Sequence, residues 1–376
     1  MTVNLTLSGL CSHNSNPRHK WRFVHPTAPG KAGLMFLPLP CLIVMLFSAC
    51  GKFSDDSSPR KQRMILKDSG PIKIIEDGQI VEGLRIVASQ GPAIEVDGFK
   101  NVTIRNCQIE HESGYGIKFN NADGLRLEWI EIKHSGFSGQ AKLPDIANGN
   151  IDGMESTGVV MDHVQASDGS AGIYLYNSPD AKLTNLVLRN FRGPFWKGQG
   201  IQFNQSNNCI VDGFLIENEP GKSWVEDNIS VYHTSDCVIR NGSIKGNDAP
   251  YGAGIQFEQR QGTDSGGLVE NVTAFGTMNA GFSTYPGFNI TFRRTFLRDN
   301  FCTNRGRGAP ASGGLGWQLG GLANGAPTNS ANGRIEASAY YNLCNANITY
   351  GDWSEADLKQ QEFTPAADLV FEFPWE

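Results

Sequence analysis

Charge is scarce in this sequence: Asp, Glu, Lys and Arg make up 19% of 376 residues, and 38 acidic against 32 basic side chains leave a formal charge of −6. A broad basic surface is thereby excluded, and with it non-specific nucleic-acid binding. No segment carries a convincing helical apolar period, so a helical bundle is excluded too. Neither a phosphate-binding Gly loop nor a nucleophile elbow stands out, and the 8 Cys and 7 His show no CxxC or zinc spacing. The apolar run Leu34–Ala49 is shorter than the roughly 20 residues of a membrane-spanning helix and is interrupted by Pro38 and Pro40. Glycine, by contrast, is plentiful at 44 residues, which fits a turn-rich all-β chain.

The apolar run near the N-terminus follows Lys31 and ends in Phe47-Ser48-Ala49-Cys50-Gly51, small residues leading into a cysteine. That is the layout of a secretory signal with a cleavage site. The stretch resembles a bacterial lipoprotein signal, with Phe47 standing where that family usually has Leu. The resemblance implies cleavage after Ala49, lipidation of Cys50, and a protein held at the bacterial cell envelope by an N-terminal lipid anchor. Loss of residues 1–49 removes Arg18, Lys20, Arg22 and Lys31 and no acidic residue, so the mature chain carries −10. The long segment before the apolar run suggests a true start downstream of Met1. Residues 50–71 open with a polar Ser/Asp stretch and read as a tether.

Beyond it the chain repeats. Ile94-Glu95-Val96, Ile117-Lys118-Phe119, Ile173-Tyr174-Leu175, Ile201-Gln202-Phe203, Ile229-Ser230-Val231 and Ile255-Gln256-Phe257 recur, with Ile151 and Phe282 in the same series. Self-similarity at this period means a solenoid. Eight residues after most of these markers a second apolar phrase begins, at Val102, Leu125, Val159, Ala181, Cys209 and Cys237. Within it Asn106 falls at a bend, and Asn185, Asn241, Asn271 and His163 fall at the same place in later repeats. Asn tolerates left-handed backbone, so an Asn column suits a coil that must turn there. The coils number about nine and run 22–28 residues, apart from an insertion at about Gly136–Gly149.

The repeat and its Asn bend resemble the right-handed parallel β-helix of the pectin-lyase-like superfamily. The resemblance covers residues 72–302 and implies an all-β solenoid acting on or binding polysaccharide. Residues 303–376, Gly-rich at 306–325, are expected to form an irregular loop and a C-terminal cap over the last coil. Cys209 and Cys237 share one inward position on consecutive coils, with Cα atoms about 5 Å apart. The expectation is stacked free thiols, since parallel strands suit the S–S torsion poorly. Cys302 and Cys344 are a second possible pair.

If the marker isoleucines face inward, the intervening residues form two outward columns. One reads Glu95, Lys118, Asp152, Tyr174, Gln202, Ser230, Gln256, Ser283; the other reads Asp97, Asn120, Met154, Tyr176, Asn204, Tyr232, Glu258, Tyr285. Tyr174, Tyr176, Gln202, Asn204, Gln256, Tyr285 and Trp196 are candidate substrate contacts, because aromatic faces stack on sugar rings and amides bond hydroxyl groups. Gly172, Gly200, Gly254 and Gly281 are read as leaving room for a bulky ligand. Tyr232, His233, Glu258 and Lys197 are the catalytic candidates, the first two as groups able to exchange protons. Polar ladders also stabilise solenoids without chemistry, and His163 and Lys118 are read that way, Lys118 as a partner of Glu95.

A hydrolase needs two carboxyl groups roughly 5–9.5 Å apart. Asp152 and Glu258 lie four coils, about 19 Å, apart. Asp227 sits five positions earlier in its coil than Glu258, so a hydrolase would draw on a loop carboxylate, Glu226, Glu219 or Asp145. A lyase needs a base and a cation to neutralise a uronate, roles open to Tyr232 or His233 with Lys197 or Arg192. The sequence leans slightly to the lyase, although a charge of −10 disfavours a polyanionic substrate. No cofactor is implied, and calcium lacks a ligand cluster on adjacent coils. The chain is expected to be monomeric. The competing reading is a non-catalytic glycan-binding or spacer lipoprotein.

Overall fold

Alternating apolar residues give strands, and the chain stacks them in parallel. A computed structural model describes residues 63–376 apart from 137–138, 141, 145–147, 194–197, 248, 250–251, 259–264, 279, 285–287, 300–314, 320–321, 324–325, 328–332, 344–356 and 366. Its strands form a right-handed parallel β-helix, and the described residues contain no helix. Short strands such as Ile173–Tyr176 and Ile201–Asn204 build one sheet of ten, and long strands such as Lys182–Arg189 and Ile210–Glu217 build the other, of fourteen.

The register follows the repeat. Ile94, Ile117, Ile151, Ile173, Ile201, Ile229, Ile255 and Phe282 pair in one unbroken column, all fully or almost fully buried. A one-residue slip would turn every one of them to solvent, so burial of this column holds the pairing. The bend column is as regular. Asn106, Trp129, His163, Asn185, Asn241, Asn271, Arg294 and Ala337 all have φ between 47° and 57°, and Gly213 completes the series. Asn amides there reach back one coil: Asn185 Nδ2 donates to Asp162 Oδ1 at 2.8 Å and Asn241 Nδ2 to Asp212 Oδ1 at 2.7 Å. His163 and Trp129 stack instead, ring centroids 3.9 Å apart, so His163 belongs to the scaffold.

A polar ladder runs inside the turn between the sheets. The backbone N–H groups of Ala122, Ser156, Ser178 and Ser206 donate to the hydroxyls of Ser156, Ser178, Ser206 and Thr234 on the following coil. These buried groups are thereby satisfied without water.

Four expectations need correction. The glycines of the short-strand column make no room for ligand: a Cβ on Gly172 would strike the Gly200 carbonyl and Phe191, one on Gly200 the Asn228 carbonyl, and one on Gly254 the Gly281 carbonyl. Neighbouring backbones need that space. Cys209 and Cys237 form a disulfide, with Cα atoms 4.6 Å apart, where free thiols were expected. Lys118 does not pair with Glu95, which binds Lys73 at 3.3 Å; its ammonium lies 5.6 Å from the Tyr115 ring centre. The coil also runs past both ends of 72–302. Lys67–Ser69 precedes it, Leu315–Leu319 extends the short-strand sheet, and Arg334–Glu336, Ser338–Tyr341 and Leu358–Gln360 extend the long-strand sheet. Cys50, Cys302 and Cys344 lie outside the described residues.

The last residues do not simply cap the final coil. After Gln361, whose N–H binds the Tyr340 carbonyl, the chain returns along the long-strand sheet towards the first coil. Phe363 packs on Phe296, Asp368 pairs with Lys245, Phe371 meets His163 and Trp129, and the Pro374 carbonyl accepts the Met64 N–H at 2.8 Å. Phe373 and Trp375 stack and are buried. A chain ending at Gln360 is expected to lose at least about 2 kcal/mol, the scale of one buried aromatic side chain. Urea unfolding of the truncated and intact proteins measures this, and an unchanged midpoint would reduce the tail to a surface ornament.

Candidate functional site

The short-strand sheet carries the site because its outward residues share one surface. A cavity of about 540 Å³ opens on it, and Asp152, Tyr174, Gln202, Asn204, Ser230, Tyr232 and Glu258 line it from the strands. Tyr115, Gly149, Ser170, Ala171, Gln199, Glu226 and Asp227 line it from the adjoining turns. Register puts Asn204, Tyr232 and Glu258 at one level on three successive coils, and Tyr174 and Gln202 at another. The Asn204 amide donates to the Tyr174 hydroxyl at 3.2 Å, which orients both across two coils.

Three carboxyl groups gather at one end. Glu226 and Asp227 precede the strand Ile229–Tyr232, and Glu258 ends the strand Ala253–Glu258 on the next coil. Burial, then the neighbouring Glu226 charge, pushes Glu258 up to about 7. Asp227 is only 5% exposed, and burial, followed by the charges of Glu226 and Glu258, holds its pKa well above the usual carboxylate range. Its Oδ1 accepts the Ala253 N–H at 2.8 Å. Gln199 Nε2 donates to Glu226 Oε2 at 3.2 Å. Close carboxylates in a poorly solvated site cannot all ionise, so protons are retained there near neutral pH.

At the other end Tyr115 hydrogen-bonds Asp152, and burial first, then that carboxylate, pushes the phenol up to about 12. Burial likewise raises Tyr174. Stacking arithmetic places the coils of Tyr115 and Glu258 about 24 Å apart. A cavity of this length lined by phenols, amides and carboxyls can stack and hydrogen-bond several sugar units.

Five expected residues, Tyr174, Gln202, Asn204, Tyr232 and Glu258, thus line the cavity. Gln256 and Tyr176 lie on the same sheet but do not line it. His233 leaves the sheet: its φ is 50°, its N–H binds the Glu258 carbonyl at 2.9 Å, and its ring sits 4.2 Å from that of Tyr232, outside the lining. The left-handed residue that ends the strand leaves its ring beside Tyr232. Lys197, Trp196, Tyr285 and Asp145 lie outside the described residues. Arg192 does not line the cavity either; its guanidinium donates to backbone carbonyls and to His134.

Sequence reasoning set Asp227 aside by counting positions along a straight strand. The strand begins only at Ile229, so Asp227 sits on the turn, and the count does not convert into distance. The phrase Glu226-Asp227-Asn228 leading into the repeat marker Ile229 is the signal that a turn-based reading would have used.

The ionisation of Glu258 has a measurable sign. Its folded-state pKa is raised above the ordinary 4.5, so its contribution favours the fold at low pH and is lost as pH rises towards about 7. Between pH 5 and 8 the wild type is expected to lose up to about 3 kcal/mol more stability than Glu258→Gln. Parallel pH-dependence of the two unfolding midpoints would contradict the assigned burial of this carboxyl.

The family model described as "Right handed beta helix region" matches residues 145–314. No curated protein sequence matches the chain. Among solved structures the chain is similar to pectate lyase Pel9A, at 11% identity and a TM-score of 0.47, over 73% of this chain and 70% of that one. It is similar to the polygalacturonase from Erwinia carotovora ssp. carotovora, at 9% identity and a TM-score of 0.45, over 78% and 87%. Similarity to tailspike protein 3 of bacteriophage CBA120 stands at 10% and a TM-score of 0.45, and the chain spans about half of that protein, 52%, with 81% of its own length.

Proposed function

We propose that the protein hydrolyses a neutral glycan laid along the short-strand sheet, with Glu258 as the general acid. The observation that carries this is the convergence of Glu226, Asp227 and Glu258 in one cavity, with Glu258 at about 7. A carboxyl protonated near neutrality can give its proton to the glycosidic oxygen as the C–O bond breaks. Glu226, held by Gln199, takes a proton from the water whose oxygen bonds to the anomeric carbon. Asp227 beside them is itself raised, by burial and then by the charges of Glu226 and Glu258.

Elimination, which the sequence slightly favoured, asks for a cation beside a uronate carboxylate. Among the described lining residues there is no Lys or Arg, and the carboxylates of Asp152 and Glu226 would repel an acidic sugar. Tyr115, Tyr174 and Tyr232 suit the stacking of uncharged rings.

Export and lipid anchoring belong to the same reading. The Ser48-Ala49-Cys50 signal supports them, as does a disulfide, which persists in oxidising compartments. Cys50→Ala is expected to abolish fatty-acid labelling in a bacterial host and release the protein from the membrane fraction. Labelling that survives the substitution would reject the anchor.

The enzymatic reading is tested on a panel of neutral and uronic polysaccharides with the chain lacking residues 1–50. New reducing ends on a neutral glycan are expected, without the absorbance of an unsaturated product, and with activity falling above pH about 7. Glu258→Gln and Glu226→Gln should each lower the rate by about 10²–10⁴-fold. An unsaturated product from a uronic polymer would instead establish the lyase.

A further inference from the structure

Arg192 is 4% exposed, and an arginine is charged whatever its surroundings. Burying that charge is costly unless its donors are met, so the partners it has are informative. Nε donates to the Asp168 carbonyl at 2.7 Å, Nη1 to the Gln140 carbonyl at 3.2 Å, and Nη2 to the Gly136 carbonyl at 3.0 Å and to His134 Nδ1 at 2.8 Å. Its own carbonyl accepts the Leu143 N–H at 3.0 Å. One side chain therefore joins Gly136 and Gln140 to the turn that follows the strand Val160–Ser167.

The same block reaches the cavity. Ser170 N–H binds the Asn148 carbonyl, Gly193 N–H binds the Ser170 carbonyl, and Asn148 Oδ1 accepts the Gly114 N–H next to Tyr115. His111 bonds Asn150 Oδ1 at 2.9 Å, and Asn150 leads directly into Ile151 and Asp152. Tyr115, Gly149, Asp152, Ser170 and Ala171 form the wall of the cavity away from Glu226, Asp227 and Glu258. Both histidines are neutral here: burial first lowers His111, and burial, then the charges of His111 and Arg192, takes His134 to about 3. His134 Nδ1 is thus free of a proton and able to accept from the guanidinium.

Resting on the glycan-hydrolase reading, we propose that Arg192 is a positioning residue. It fixes Gly136, Gln140 and Leu143 against the coil and so sets the Tyr115–Asp152 wall at its distance from Glu226 and Glu258, which decides how tightly the distal sugars are held. Lysine keeps the charge but offers a point donor in place of the planar fork. Arg192→Lys should therefore restore part of what Arg192→Met removes.

The test combines hydrogen exchange and kinetics on the two variants and the wild type. Amides in 136–152 are expected to exchange at least 10-fold faster in Arg192→Met, with Arg192→Lys in between, while Ile201–Asn204 and Ile229–Tyr232 stay as in wild type. On an oligosaccharide that the wild type cleaves, KM should rise at least 5-fold in Arg192→Met, with kcat within twofold. Exchange in 136–152 that is unchanged, or faster across the whole chain in both variants, overturns the proposal, as does a fall in kcat at constant KM. Absence of any cleavage by the wild type would sink the hydrolase reading alone, because the exchange result judges the Arg192 tie without substrate.

Discussion

Everything in this protein depends on coils meeting in register at the spacing of parallel strands, about 4.8 Å. That spacing is too small for a Cβ where Gly172 meets the Gly200 carbonyl or Gly254 the Gly281 carbonyl, so glycine is required at those contacts. It brings Cys209 and Cys237 into disulfide range and lets each Ser156, Ser178 and Ser206 hydroxyl accept a backbone N–H from the coil before it. The left-handed bend at Asn106 and its successors recurs because every coil must turn at the same height to keep its neighbour's hydrogen bonds. The inner column is then buried without exception from Ile94 to Phe282.

The candidate site is a by-product of that regularity and also a departure from it. Ladder order alone gives rows of outward side chains, such as Asn204, Tyr232 and Glu258, one per coil. Chemistry gathers where the turns break the pattern: Glu226 and Asp227 come from the connection before a strand, and Tyr115 and Gly149 from the connections around the insertion. Turn residues close the cavity, and closure is what moves the carboxyl groups away from their ordinary ionisation. The same burial that raises the Glu258 pKa destabilises the fold when that group ionises, so the candidate site weakens the scaffold that holds it.

How much could be read beforehand follows from which residues obey the repeat. Inward isoleucines, the Asn bend with His163 in it, and five of the cavity residues were legible because their positions recur at fixed offsets. Asp227 was misplaced because it lies two residues before its strand, where offset no longer measures distance. His233 looked like the neighbour of Tyr232 in one groove, and its ring does lie beside Tyr232, but at a left-handed residue past the strand end and outside the cavity lining. The glycines were assigned to a ligand because a missing side chain reads as space, whereas the space is filled by the adjacent backbone. The tail from Gln361 to Trp375 has no repeat of its own, and nothing in its residues announces that it runs back to Met64.

The solenoid, its register and the composition of each column are already written in the residues, because a period-two strand with a fixed repeat admits one way to bury its apolar face. So is the signal-like N-terminus, as a pattern of residue types. Which carboxyl groups meet, the tie from Arg192 to Gly136, and the return of the last residues to the first coil emerge only from three-dimensional packing. Those outcomes depend on connections between strands, whose paths are fixed by what they pack against and not by any local preference written in their residues.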